Sequence, residues 1–172
     1  MHPHISRLSL LPLLFITASA VVAAESSTNV KKATCTENGV RVVFSDGTQK
    51  DFPAEKAYKC TDLKISVDHR YAGWKCSGTL IVDSDGEKET FSDATVYVLV
   101  GGKSYAATQN SRDIRDWFFV HGRPEIVAET AFEHGPSTYI LYDLQKRKMT
   151  EACEQSELAR CPRLQKLVKV DK

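Results

Sequence analysis

The sequence lacks most of the short motifs that reveal a function. It has no Cys-x-x-Cys pair, no His-Glu-x-x-His and no Gly-x-Ser-x-Gly elbow. Thioredoxin-type redox chemistry, zinc proteolysis and an α/β-hydrolase nucleophile therefore have no local signature. Charge of one sign is also missing: 23 Lys and Arg stand against 22 Asp and Glu, scattered among one another. Nucleic acid and anionic membrane surfaces favour a basic stripe, so neither partner is implied. Gly101-Gly102-Lys103-Ser104 has the tail of a phosphate-binding loop, but the glycine required five positions before Gly102 is Tyr97. Lys103 also opens a strand pattern where that loop needs a helix. In Asp83-Ser84-Asp85-Gly86-Glu87, counting back from the glycine puts the first calcium ligand of an EF-hand at Ile81, so the segment reads as a turn. The histidines after residue 24, His69, His121 and His134, each fall in or near a predicted turn. No cofactor or metal is expected, and no catalytic residue can be named.

What is present begins with an export signal. Arg7 precedes the uncharged, leucine-dominated run from Leu8 to Ile16, and small residues follow to Ala24. This is the layout of a secretory signal peptide, with cleavage expected after Val22-Ala23-Ala24. A spanning helix needs about 20 apolar residues, which this stretch barely approaches, so no stable membrane anchor is expected after cleavage. The expected organisation is a signal at 1–24, a flexible lead-in at 25–36 and one disulfide-stabilised β-rich domain at 37–172. The expected location is the periplasm or the extracellular medium.

All five cysteines lie beyond the signal: Cys35, Cys60, Cys76, Cys153 and Cys161. In a secreted chain such residues read first as disulfides. Four of them already allow three connectivities. Cys60 and Cys76 flank a predicted hairpin, and Cys153 and Cys161 flank a short segment, so these local pairs are expected and Cys35 is left unpaired. The second pair meets a geometric objection. Eight residues of continuous helix rise about 12 Å, whereas bridged Cα atoms lie within about 7 Å. The segment between them must fold back if the pair forms.

The hydrophobic pattern is that of strands. Val40–Phe44 and Thr48–Phe52 flank Asp46-Gly47, and Thr95–Val100 and Lys103–Thr108 flank Gly101-Gly102, both hairpin signals. Leu63–Val67 alternates apolar with polar residues, as a half-buried strand does. The Asp46-Gly47 hairpin is echoed by one at Asp85-Gly86, about 40 residues on, a blade-like spacing. No third copy is found, and generic hairpin chemistry explains the likeness. Pro162 suits the first position of a short C-terminal helix. The expected fold is mainly β: an antiparallel meander of hairpins (sandwich, open barrel or propeller-like) with a short C-terminal helical segment.

One stretch carries the residue types that dominate protein–protein contacts. It runs from Gln109 through Arg112 and Arg115 to Trp117 and Phe118, a polar loop abutting aromatics; these four residues are the candidate binding set. In signal, size, cysteine content and β character the chain resembles periplasmic lysozyme inhibitors and toxin-immunity proteins, although no motif of either family is matched. The expectation is an exported, non-enzymatic inhibitor or immunity-type protein that occludes a protein partner. The alternatives are a small envelope hydrolase or thiol enzyme, and a structural or apolar-ligand-carrying envelope protein.

Overall fold

The structure, a computed structural model, describes residues 29–54, 58–84, 87–108, 113–131 and 135–170. Its strands form three antiparallel sheets, each a meander whose spatial order follows the chain. The first sheet holds β1 (Val30–Thr36), β2 (Gly39–Phe44) and β3 (Gln49–Pro53). The second holds β4 (Lys59–Ile65), β5 (Ala72–Ser84), β6 (Glu87–Val100) and β7 (Lys103–Ala106). The third holds β8 (Asp113–Phe119), β9 (Glu125–Ala131), β10 (Ser137–Asp143) and β11 (Lys148–Glu154). A 3-10 helix, Gln155–Arg160, leads to α1 (Pro162–Val170). The mainly β, hairpin-built expectation holds. The expected lead-in ends earlier than residue 36, because β1 is paired along β2 and its Val30 is wholly buried. Lys31, Lys32 and Thr34 are exposed, which is why the strand shows no apolar rhythm.

The sheets stack face to face, and strand alternation explains the layers. In β6, Tyr97 and Leu99 pack with Trp74, Cys76, Val40, Val42 and Phe52 between the first and second sheets. Their neighbours Val96 and Val98 pack with Trp117, Ile126, Ala128 and Leu144 between the second and third. In β9, Val127 turns the other way and meets Tyr139, Leu141, Leu164 and Val168 under α1. The order is therefore sheet, sheet, sheet, helix. Each fully buried Val, Leu or Ile contributes about 1.5–3 kcal/mol, and three such interfaces hold the stack.

Trp117 anchors the central interface. It is 0 % exposed and lies on Gly73, where an added Cβ would come within 2.7 Å of Trp117 Cη2 and 3.1 Å of the Tyr97 carbonyl. Only a residue without a Cβ leaves room for the indole. Lys64 crosses from the second sheet: its Nζ sits 4.9 Å from the centroid of the Trp117 ring, reaches Asp116 Oδ1 at 3.1 Å and donates to the Trp117 carbonyl. Lys75 Nζ donates to the Ile114 carbonyl at 3.1 Å.

Both expected disulfides are present. Cys60 and Cys76 oppose each other on β4 and β5, with Cα atoms 4.0 Å apart. Cys153, at the end of β11, bridges Cys161, just before α1, across 6.5 Å. The fold-back is supplied by the 3-10 helix, which runs between them instead of a continuous α-helix. Cys35 is free and exposed.

Candidate functional site

The β8–β9 connection forms a tight turn. Arg123 N donates to the Val120 carbonyl at 3.1 Å, and Val120 N donates to the Glu125 carbonyl at 2.9 Å. Gly122 takes φ +68° at the third position, the requirement of a type II turn. Beyond Pro124, Glu125 opens β9 with its side chain only 8 % exposed. A buried carboxylate needs a partner, and α1 supplies one, because Arg163 Nη2 donates to Glu125 Oε1. Arg123 Nη1 lies 4.0 Å from Glu125 Oε2, which accepts no hydrogen bond. The carboxylate thus draws two guanidiniums toward one place, and both remain about half exposed.

Two cavities flank this turn. One, of about 260 Å³, lies against α1 and is lined by Val120, His121, Arg123, Arg163, Lys166, Leu167 and Val170. The helix residues 163, 166, 167 and 170 follow i, i+3, i+4, i+7 spacing, a single stripe. The neighbouring stripe of Leu164 and Val168 is buried on the third sheet. The other cavity, of about 280 Å³, lies toward the β4–β5 turn, where Ser66, Val67 and Asp68 meet Phe119, and it shares Val120, His121 and Arg123 with the first. Val67 and Val170, 77 % and 74 % exposed, are the two most exposed large apolar residues among those described, and one stands at each cavity.

The electrostatics of the two sides differ. On the α1 side, Arg123 and Arg163 flank the carboxylate of Glu125 and Lys166 lines the same cavity, leaving an excess of positive charge. On the other side, burial pushes the Asp68 carboxyl up, but hydrogen bonds from Ser66 Oγ at 2.7 Å and Arg70 Nε at 2.5 Å outweigh it and hold the group below its ordinary value. That pair leaves the β4–β5 turn close to neutral. His69 is occupied elsewhere: its Nδ1 is 2.9 Å from the Val30 carbonyl, and its own carbonyl accepts from Val30 N at 2.7 Å. Among the described residues no group of three His, Cys, Asp or Glu side chains is placed to hold a metal ion.

The binding set read from the sequence is dispersed. Arg112 and His134 lie outside the described residues. Arg115 is exposed at a bulge between the Ile114 and Asp116 pairings, and its Nη1 donates to Ser137 Oγ at 3.1 Å. Trp117 points into the core between the second and third sheets and offers no surface to a partner. Phe118, one residue on, faces the opposite side and packs in the cluster under α1. The aromatics beside the loop are thus core residues of a strand that begins at Asp113. Arg115 is also about 16 Å along that strand from the β8–β9 turn. The cleft residues were missed because the Arg163–Glu125 contact spans 38 positions. Gly122 and the 163/166/167/170 stripe are the signals that point to it. No family model, curated protein or solved structure matches the chain.

Proposed function

We propose that the protein is an exported, non-enzymatic binding protein, an inhibitor or immunity-type protein of the periplasm or extracellular medium. The proposed recognition surface is the cleft that straddles the β8–β9 turn. The observation that carries the reading is this cleft: an apolar-walled cavity rimmed by Arg123, Arg163 and Lys166 beside a second one of mixed lining, each with an exposed valine. Exposed apolar surface next to arginine is the composition of binding hot spots. Two disulfides suit an oxidising compartment, and stapled, packed sheets give a scaffold that loses little freedom on binding.

The alternatives gain less support. Partial burial pushes the Cys35 thiol above its ordinary pKa, which keeps it protonated at neutral pH and weakens it as a nucleophile. An apolar-ligand carrier calls for a hollow interior, whereas the described sheets meet on packed side chains. The test is affinity capture from the periplasmic fraction of the producing cell at several salt concentrations, followed by assay of the captured protein's activity with and without this chain. A specific partner whose activity falls on binding is the expected result. Recovery of no specific partner at any salt concentration overturns the reading.

A further inference from the structure

We propose that the cleft takes an extended acidic and apolar segment of the partner protein. Carboxylates of that segment would sit on Arg123, Arg163 and Lys166, and apolar side chains would fill the two cavities on either side of the turn. The proposal rests on the binding reading above and adds the chemistry of what is bound.

Shape argues for a polypeptide over a whole small molecule. Small-molecule sites are single enclosed pockets, whereas the space here is divided at the β8–β9 turn into two hollows of about 260 and 280 Å³. They suit single side chains. They adjoin through Val120, His121 and Arg123, so neighbouring side chains of one extended segment can enter both. Charge argues for an acidic segment. Arg163 spends one donor on Glu125 Oε1, and Arg123 stands 4.0 Å from Oε2, too far for a hydrogen bond. Each guanidinium has five N–H donors, so most remain for an incoming carboxylate, while buried Glu125 keeps the two groups together. Lys166, one turn along α1 from Arg163, adds a third cation. Arginine clusters recognise acidic motifs in this way. Val170 and Val67 mark where apolar side chains of the segment gain burial.

The experiment selects random displayed peptides on the full-length protein and repeats the binding with Lys166→Glu and Val170→Ser. Both changes are at surface positions, and unchanged thermal unfolding confirms that the variants fold. The expected result is enrichment of peptides alternating Asp or Glu with apolar residues. Their affinity should fall about tenfold or more in each variant and stay unchanged in Ile81→Ser, an exposed apolar site elsewhere. No enrichment, enrichment of neutral or basic peptides, or binding indifferent to Lys166→Glu overturns the proposal. Sodium dodecanoate is measured in parallel. Binding of dodecanoate lost in Lys166→Glu, with no peptide selected, reassigns the cleft to an anionic amphiphile and also overturns it. Partner capture separates the two claims. A partner still held by Lys166→Glu leaves the binding reading standing and removes the cleft from it. Acidic peptides bound in the cleft with no partner captured do the reverse.

Discussion

Replacing Cys153 and Cys161 together by alanine tests how the C-terminal helix, one wall of the cleft, is held. The bridge closes a loop of sequence separation 8. By chain entropy such a loop constrains the unfolded state by about 2.5 kcal/mol, against about 3 kcal/mol for a loop of 16, the separation of Cys60 and Cys76. In a chain of this size that lowers Tm by roughly 5–10 °C. The C-terminal helix should open first. The 3-10 helix buries no residue and α1 buries only Leu164 and Val168; a nine-residue helix is marginal without tertiary support. Amides of 162–170 should therefore exchange with solvent about 50–100-fold faster in the variant, the factor that 2.5 kcal/mol implies. Those of β5 and β6, in the middle of the stack, should stay the best protected. Native-state hydrogen exchange read by mass spectrometry separates the outcomes. Unchanged protection of 162–170 would show that the bridge does not hold the helix and refute the reasoning.

Other outcomes follow from the same packing. Gly73→Ala should destabilise by about 1–3 kcal/mol in urea unfolding, because its Cβ meets the Trp117 ring on one side and the Tyr97 backbone on the other; a change within experimental error would mean that the indole is not locked there. Asp143 accepts backbone hydrogen bonds from Lys146 N at 2.8 Å and Gln145 N at 3.0 Å and pairs with Lys146 Nζ at 3.1 Å, which hold its carboxyl below the ordinary value. Its contribution is complete above the unfolded pKa of about 3.9 and is lost as pH falls through the lower folded value. Asp143→Asn should accordingly remove part of the stability at pH 6 and flatten the acid limb of unfolding curves; an acid limb identical to wild type contradicts this. A thiol reagent should modify one cysteine per native chain, Cys35, slowly at pH 7 and faster as pH rises. Modification of two or more without denaturant would break the disulfide assignment.

The parts of this fold that were legible in the sequence are those with local causes. Gly101 and Gly102 both take positive φ in the β6–β7 turn, which the Gly-Gly pair between two apolar runs foretold. Asp46 accepts from Thr48 N at 2.9 Å within the β2–β3 turn, the local bond that makes Asp a turn residue. The cysteine pairs were legible because each is close in sequence. Alternation served less well in β9, where Ile126, Val127 and Ala128 are all buried: the strand is covered by a sheet on one face and a helix on the other, so no solvent face exists to mark. In β8 the polar Asp113, Arg115 and Asp116 concealed a strand whose inward residues are Ile114 and Trp117. The cleft was the least legible, since Arg163 reaches Glu125, and Val67 reaches Phe119 and Val120, only through the stacking of separate elements, and contacts between elements leave no mark at fixed spacing.

The claim that the cleft at the β8–β9 turn is the recognition surface is tested most directly by photo-crosslinking in the producing cell. A photoreactive side chain is placed in turn at the exposed apolar positions Val67, Val170, Ile81 and Met149. The account predicts one crosslinked partner from Val67 and Val170, lost when Lys166→Glu is added, and none from Ile81 or Met149. Crosslinks from Ile81 or Met149 alone would contradict it.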